Sequence, residues 1–252
     1  MAKPAVIVIG ADKGGVGKTT IARTLLDYFT VNKIQARAFD TESPRGALKR
    51  FHPDVTEVID ITSTADQMKI FDTLTATDDT VTVVDVRAGQ LTPTLSLLRN
   101  IGFLDAVASG QLTFAMFHIL GPSITSLDEI ADTAAFMTGG KHYLVKNHIN
   151  DTLFFQWDQR TYNSYFSRIT DASEISIPRL NEMAYEQADV ASLPFIKFIA
   201  NKGHRDEPME YSFVLRGYLR KWLTMVWAEY DRIKLANLVM SRPADQGAKK
   251  ER

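Results

Sequence analysis

The chain contains no cysteine, which excludes disulfide staples, thiolate metal centres and cysteine-ligated clusters. It also lacks any apolar run near the ~20 residues a membrane-crossing helix needs, so no integral membrane segment is expected. A signal-peptide pattern is missing at the N-terminus, where Lys3 and Pro4 lead directly into a strand-like run. There is no low-complexity run and no internal repeat. Strong net charge is absent as well. The formal value of −1 argues against a bulk electrostatic nucleic-acid binder. These absences leave a soluble, cytoplasmic globular chain as the expectation, and 252 residues suffice for one large α/β domain with an ample core.

The charge that is present is unevenly spread. Residues 197–252 hold twelve Lys and Arg against seven Asp and Glu, whereas the preceding residues hold seventeen against twenty-three. An anionic partner would therefore be sought first in the C-terminal fifth.

The most informative stretch is Lys13-Gly14-Gly15-Val16-Gly17-Lys18-Thr19-Thr20. Before it, Ala5-Val6-Ile7-Val8-Ile9 is rich in β-branched residues and reads as a buried strand. After it, Ile21, Leu25, Leu26 and Phe29 recur at helical spacing, so a helix opens between Gly17 and Thr20. A glycine-rich turn between strand and helix is the setting of a phosphate-binding loop. Its glycines let backbone N–H groups approach phosphate, and the helix N-terminus adds partial positive charge. The backbone of Gly14, Gly15, Val16, Gly17 and Lys18 would cradle a nucleotide, with Thr20 at the α-phosphate. Lys18 would meet the β- and γ-phosphates, and the Thr19 hydroxyl would hold Mg²⁺.

Further strands are expected at Ile34–Phe39, Val55–Ile61, Val81–Asp85, Leu112–Leu120, Tyr143–Asn147 and Glu174–Pro178, with helices between them. One helix runs from about Thr64 to Leu74; another runs from Ser126 to Met137 with Asp128 and Glu129 in its first turn. This alternation predicts an α/β fold, a mostly parallel sheet flanked by helices on both faces, with the site at the carboxyl ends of the strands. One domain is expected over 1–240, followed by a short polar tail, 241–252. Two strands end in acids that matter. Asp40 enters a turn-rich loop running to Gly46, and Asp85 closes an apolar strand in the Walker-B pattern, where a carboxylate helps fix Mg²⁺ with Thr19. His118, inside an apolar strand, reads as an interior histidine and not as a ligand.

The loop departs from the standard pattern: Asp12 stands at the first glycine position, and Lys13 precedes the glycine pair. This resembles the deviant phosphate loop of the ParA/MinD superfamily of P-loop ATPases, specifically over residues 5–26 and more weakly to about residue 195. The resemblance implies a Mg²⁺-dependent ATPase that forms a nucleotide-dependent homodimer, with Lys13 reaching the partner's nucleotide. It implies that Glu42, matching the second acid of the first switch, or Asp40 positions the attacking water; the following proline, Pro44, falls one residue late. The second switch would be Asp85-Val86-Arg87-Ala88-Gly89, with Arg87 at the usual proline position and the Gly89 N–H near the γ-phosphate. Asn147 and Pro178, with Arg179, would lie at the adenine. The implied work is partitioning or positioning DNA or a protein cargo with a protein activator or adaptor. The alternatives are a metabolic ATP-dependent enzyme of the same superfamily and a nucleotide-binding module of a secretion or conjugation system. An electron-transfer reductase of the nitrogenase-iron-protein type is excluded by the missing cysteines.

Two segments lie outside these motifs. Leu153–Trp157 and Tyr162–Phe166 form an aromatic insertion with Arg160 and Arg168, read as satellite core or an oligomer contact in preference to a base-stacking surface. From Met209 to about Leu238 runs a long helical pattern with Tyr211, Val214, Leu215, Tyr218, Trp222, Met225, Val226 and Ile233 as its apolar stripe. Arg216 and Arg220 point away from that stripe, and with Lys221, Lys249, Lys250 and Arg252 they are the candidate contacts for non-specific DNA.

Overall fold

The computed structural model describes residues 3–74, 81–149, 152–166 and 172–240. The polar tail expected at 241–252, with Lys249, Lys250 and Arg252, lies outside the described residues, as does Arg168. The strands are β1 (Ala5–Gly10), β2 (Ala36–Asp40), β3 (Thr56–Val58), β4 (Val81–Asp85), β5 (Thr113–Leu120), β6 (Lys141–Asn147) and β7 (Ala172–Ile177). The helices are α1 (Lys18–Val31), α2 (Ala47–Phe51), α3 (Thr64–Phe71), α4 (Leu91–Asn100), α5 (Phe103–Ala108) and α6 (Ile124–Ala134). They continue with α7 (Gln159–Phe166), α8 (Glu182–Ala191), α9 (Phe195–Ile199), α10 (Phe213–Arg232) and α11 (Leu235–Val239).

All seven strands form one sheet in the order β3-β2-β4-β1-β5-β6-β7, and every pairing is parallel. The continuous apolar runs of β1, β4 and β5 follow from this position, because a central parallel strand is covered on both faces. Alternate residues of β1 serve opposite cores. Ala5, Ile7 and Ile9 join Ile21, Leu25 and Phe29 of α1 and Leu219, Leu223 and Tyr230 of α10. Val6 and Val8 join Leu95 and Leu98 of α4 and Phe103 of α5. Burial of each Val, Leu, Ile or Phe side chain among these stabilises the fold by ~1.5–3 kcal/mol.

Helix α1 is enclosed. Thr24 Oγ1 and the Tyr230 hydroxyl are 2.7 Å apart, and Trp227 Nε1 donates to the Thr24 carbonyl at 3.2 Å. The buried Arg23 guanidinium lies between the rings of Phe51 and Phe195, 3.4 and 3.8 Å from their centroids. The aromatic insertion becomes a satellite core, with Phe154 and Phe166 packed on Leu127 and Ile130 of α6.

Three local expectations are corrected. β3 is only Thr56–Val58. Helix α6 begins at Ile124, after Ser123 in an extended conformation, so Asp128 and Glu129 stand beyond its first turn. The C-terminal pattern is two helices, broken where Lys234 takes a left-handed φ of 55°, and its apolar stripe is differently phased. The buried line is Leu219, Trp222, Leu223, Val226 and Tyr230, while Val214, Tyr218 and Met225 are exposed. At 100° per residue the two sets differ by roughly a third of a turn.

Candidate functional site

Sheet register assembles the site. Asp85 at the end of β4 pairs with Ile9 of β1 on one side and with Asp40 of β2 on the other. The two sequence-flagged acids and the phosphate loop therefore meet at the carboxyl edge of three adjacent strands, at the point in an α/β sheet where ligands gather.

The loop from Ala11 to Gly17 needs its glycines for different reasons. Gly15 and Gly17 have φ values of +73° and +94°, a region that side chains strain to enter. A Cβ at Gly17 would also overlap the Asn147 amide nitrogen. That amide donates to the Val16 carbonyl at 2.9 Å, so Asn147 supports the loop from β6. Lys18 opens α1, and its Nζ donates to the Lys13 carbonyl at 3.2 Å, closing the loop on itself. Burial lowers the Lys18 pKa, opposed by the charges of Asp85, Glu42, Asp12 and Glu129.

Thr19 Oγ1 donates to Asp85 Oδ2 at 2.8 Å. Asp85 is pushed up to about 7, first by burial and then by Asp40, against the Thr19 hydrogen bond and Lys18. Asp40 and Glu42 have separate placements. Asp40 is buried and accepts the Glu42 N–H at 2.9 Å and the Leu48 N–H at 2.6 Å, bracing its loop. Glu42 is exposed and lines a cavity beside the glycine-rich loop. Thr41, which carries no motif signal, joins the two acid-bearing loops. Its N–H donates to the Asp85 carbonyl at 3.0 Å, and its Oγ1 accepts from the Arg87 N–H at 2.8 Å.

Two cavities adjoin. The first, about 340 Å³, is lined by the phosphate loop, Thr19, Thr20, Asp40, Glu42, Asp85, Val86, Arg87 and Ala88. The second, about 280 Å³, is lined by Asn147, Pro178, Arg179, Leu180, Glu182 and Trp222. Thr20, Ile149 and Tyr185 border both. The Pro178 carbonyl accepts from Trp222 Nε1 at 2.6 Å. Asn147, Pro178 and Arg179 were flagged in the sequence; Tyr185 and Trp222, which line the same cavity from α8 and α10 beyond the last motif, were not flagged for it. Anions fit the first cavity, with its cation and backbone donors. The second combines the apolar side chains of Ile149, Pro178, Leu180 and Trp222 with the polar ones of Asn147, Arg179 and Glu182.

Other candidates fall elsewhere. Lys13 is exposed, and its chain lies against Gly121 in the β5–α6 turn. His118 is interior, with Nδ1 3.2 Å from Thr133 Oγ1 and Nε2 3.5 Å from Glu129. Arg216 is half-buried and tied to the backbone. Its Nε and Nη1 donate to the Tyr211 and Ile199 carbonyls at 3.3 and 3.1 Å, because helix α10 starts against the turn after α9. Among the described residues no helix is long and apolar enough to cross a membrane.

No family model and no curated protein matches the chain. Solved structures do share its outline. A nucleotide-binding protein in complex with ADP from Archaeoglobus fulgidus is 12% identical, covering 73% of this chain and 85% of that one with a TM-score of 0.48. The MinD cell division protein of Aquifex aeolicus is 14% identical over 88% of this chain and 97% of its own, with a TM-score of 0.45. The same protein in its MinC:MinD complex gives 14%, 88%, 96% and 0.46. At these identities and scores the likeness is one of outline, and the site stands on its own geometry.

Proposed function

We propose that the chain is a Mg²⁺-dependent ATPase of the ParA/MinD type, a single domain over 1–240 acting as an ATP-dependent dimerising switch for a DNA or protein cargo. The observation that carries the reading is the Thr19–Asp85 hydrogen bond of 2.8 Å at the mouth of a glycine-rich loop, with a second cavity of about 280 Å³ adjoining it. In this reading Lys18 and the N–H groups of Gly14–Lys18 take the β- and γ-phosphates, Thr20 faces the α-phosphate, and the base lies among Asn147, Pro178 and Tyr185.

The donor set suits Mg²⁺. Thr19 Oγ1 and Asp85 would hold it, and a buried carboxylate pushed up to about 7 is one that a cation would discharge. Held there, Mg²⁺ would supply charge neutralisation to the β- and γ-phosphates. Glu42, exposed at the cavity, orients the attacking water; Asp40, held by two backbone N–H groups, keeps the Glu42 loop in shape. Lys13 serves the nucleotide of a partner copy. Lys18→Ala tests the reading, because it removes the cation from a partly desolvated, preorganised site. Hydrolysis should be lost and ATP binding much weakened. Turnover equal to that of the unaltered chain would remove the nucleotide reading altogether.

A further inference from the structure

The phosphate loop and the loop after β4 lie alongside each other, residue against residue. The Leu91 side chain fills the space that a Cβ on Gly10 would take, and the Ala88 Cβ is 3.8 Å from the position of a Cβ on Gly14. Between these contacts, Asp12 Oδ1 accepts from the Leu91 N–H at 3.1 Å and Oδ2 accepts from Thr92 Oγ1 at 3.2 Å. The Asp12 N–H in turn donates to Glu129 Oε2 on α6 at 3.3 Å. Asp12 is thus held from the α6 side and grips the first turn of α4, where a carboxylate also complements the helix dipole. A glycine at this position, as in the standard loop, could make neither side-chain bond.

What Asp12 grips is the far end of a short segment. Val86, Arg87 and Ala88 line the phosphate cavity, and α4 begins three residues after Ala88. The near end is held by Thr41 through the Arg87 N–H. Nothing else among the described side-chain hydrogen bonds fixes the α4 end to the phosphate loop. We propose that Asp12 is a positioning residue for hydrolysis: by pinning Leu91 and Thr92 it sets where Arg87 to Gly89 stand over the γ-phosphate. The inference rests on the ATPase reading and assigns within it a role to the position where this loop departs from the standard pattern. Because Asp12 acts on the segment and not on the phosphates, its loss should slow turnover while leaving nucleotide affinity in place.

The test uses the full chain and compares steady-state ATP turnover with equilibrium binding of a fluorescent non-hydrolysable ATP analogue. Asp12→Ala should lower turnover at least about tenfold with analogue affinity within about twofold of the unaltered chain. Asp12→Asn, whose amide oxygen can still accept from Leu91, should recover most of the loss. Unchanged turnover in Asp12→Ala, affinity falling in step with turnover, or no recovery by asparagine would each overturn the role. If Asp12→Ala does not fold, Thr92→Val decides. It removes one hydroxyl contact, and lower turnover at unchanged affinity supports the proposal, whereas full turnover overturns it. Lys18→Ala runs beside them. Should it hydrolyse ATP as fast as the unaltered chain, the ATPase reading fails and takes this role with it; an inactive Lys18→Ala beside a fully active Asp12→Ala sinks the positioning role alone.

Discussion

Asp85 carries the sharpest electrostatic consequence at the scale of single residues. Its folded pKa of about 7 lies above the ordinary 3.8, so the folded chain holds a proton that the unfolded chain releases. Stability from this group is therefore greatest below the unfolded value and is lost as the pH climbs from about 4 to about 7. Asp85→Asn removes the titration. Without nucleotide or metal it should raise stability at pH 8 by on the order of 4 kcal/mol, and the gain should shrink to nothing below pH ~4. Denaturant melts at the two pH values check this; equal gains at both would show that burial is not the cause. Under the proposed function the same variant should also lose hydrolysis, because it removes the carboxylate that would hold Mg²⁺. The neighbouring acids separate in the opposite sense. Asp40→Ala strands two backbone N–H groups at a buried position and should cost about 2 kcal/mol of stability. Glu42→Ala should leave stability within ~0.5 kcal/mol but reduce turnover at least about tenfold at unchanged ATP affinity. Matching melts and matching rates in the two variants would reverse this division of labour.

Among the elements, the phosphate loop and the strands were legible because their signals are local. A β-branched run, a glycine turn and a helical period each follow from the geometry of a few consecutive residues. Gly17 shows how far that reaches. Its φ of +94° was implied by the turn, but the contact that also forbids a side chain comes from Asn147 on β6, which no spacing reveals. Gly17→Ala should keep the sheet and lose nucleotide binding by more than about tenfold. Combining it with Asn147→Ala relieves the overlap but not the backbone strain, so binding should return only in part. Full recovery in the double variant would make the overlap the whole effect. Elements set by tertiary packing were harder to read. Counting large apolar residues put Val214, Tyr218 and Met225 on the buried stripe of α10, yet the helix turns Leu219, Leu223 and Tyr230 towards α1 instead. Thr41, Tyr185 and Trp222 stayed hidden for the same reason: ordinary residues acquire a place at the site only when distant segments fold over it.

On the scale of the whole molecule, the features of the proposed switch share one rim of the sheet. The phosphate loop, Glu42, Arg87 and Lys13 all belong to the carboxyl end of the strands, and Glu42, Arg87 and Lys13 are exposed there. Of the candidate nucleic-acid cations on α10, Arg216 gives two of its N–H donors to the Tyr211 and Ile199 carbonyls, while Arg220 and Lys221 are exposed. Lys13 stays exposed on this rim, where the proposed switch would direct it at the nucleotide of a partner copy. Two copies meeting rim to rim would bring two triphosphates together, and each extra negative charge removed from water raises the cost of that approach. A lysine from each copy directed at the other's phosphates offsets the repulsion only when both sites are filled, which makes association depend on nucleotide. Lys13→Ala should therefore bind ATP almost normally, because Lys18 and the loop backbone remain, but stay a monomer. Sedimentation of both proteins with a non-hydrolysable ATP analogue reads this directly: the unaltered chain should shift to twice its mass and the variant should not. A nucleotide-dependent dimer of undiminished amount in Lys13→Ala would leave this lysine a local part of its own loop, lying against Gly121 and serving no second site.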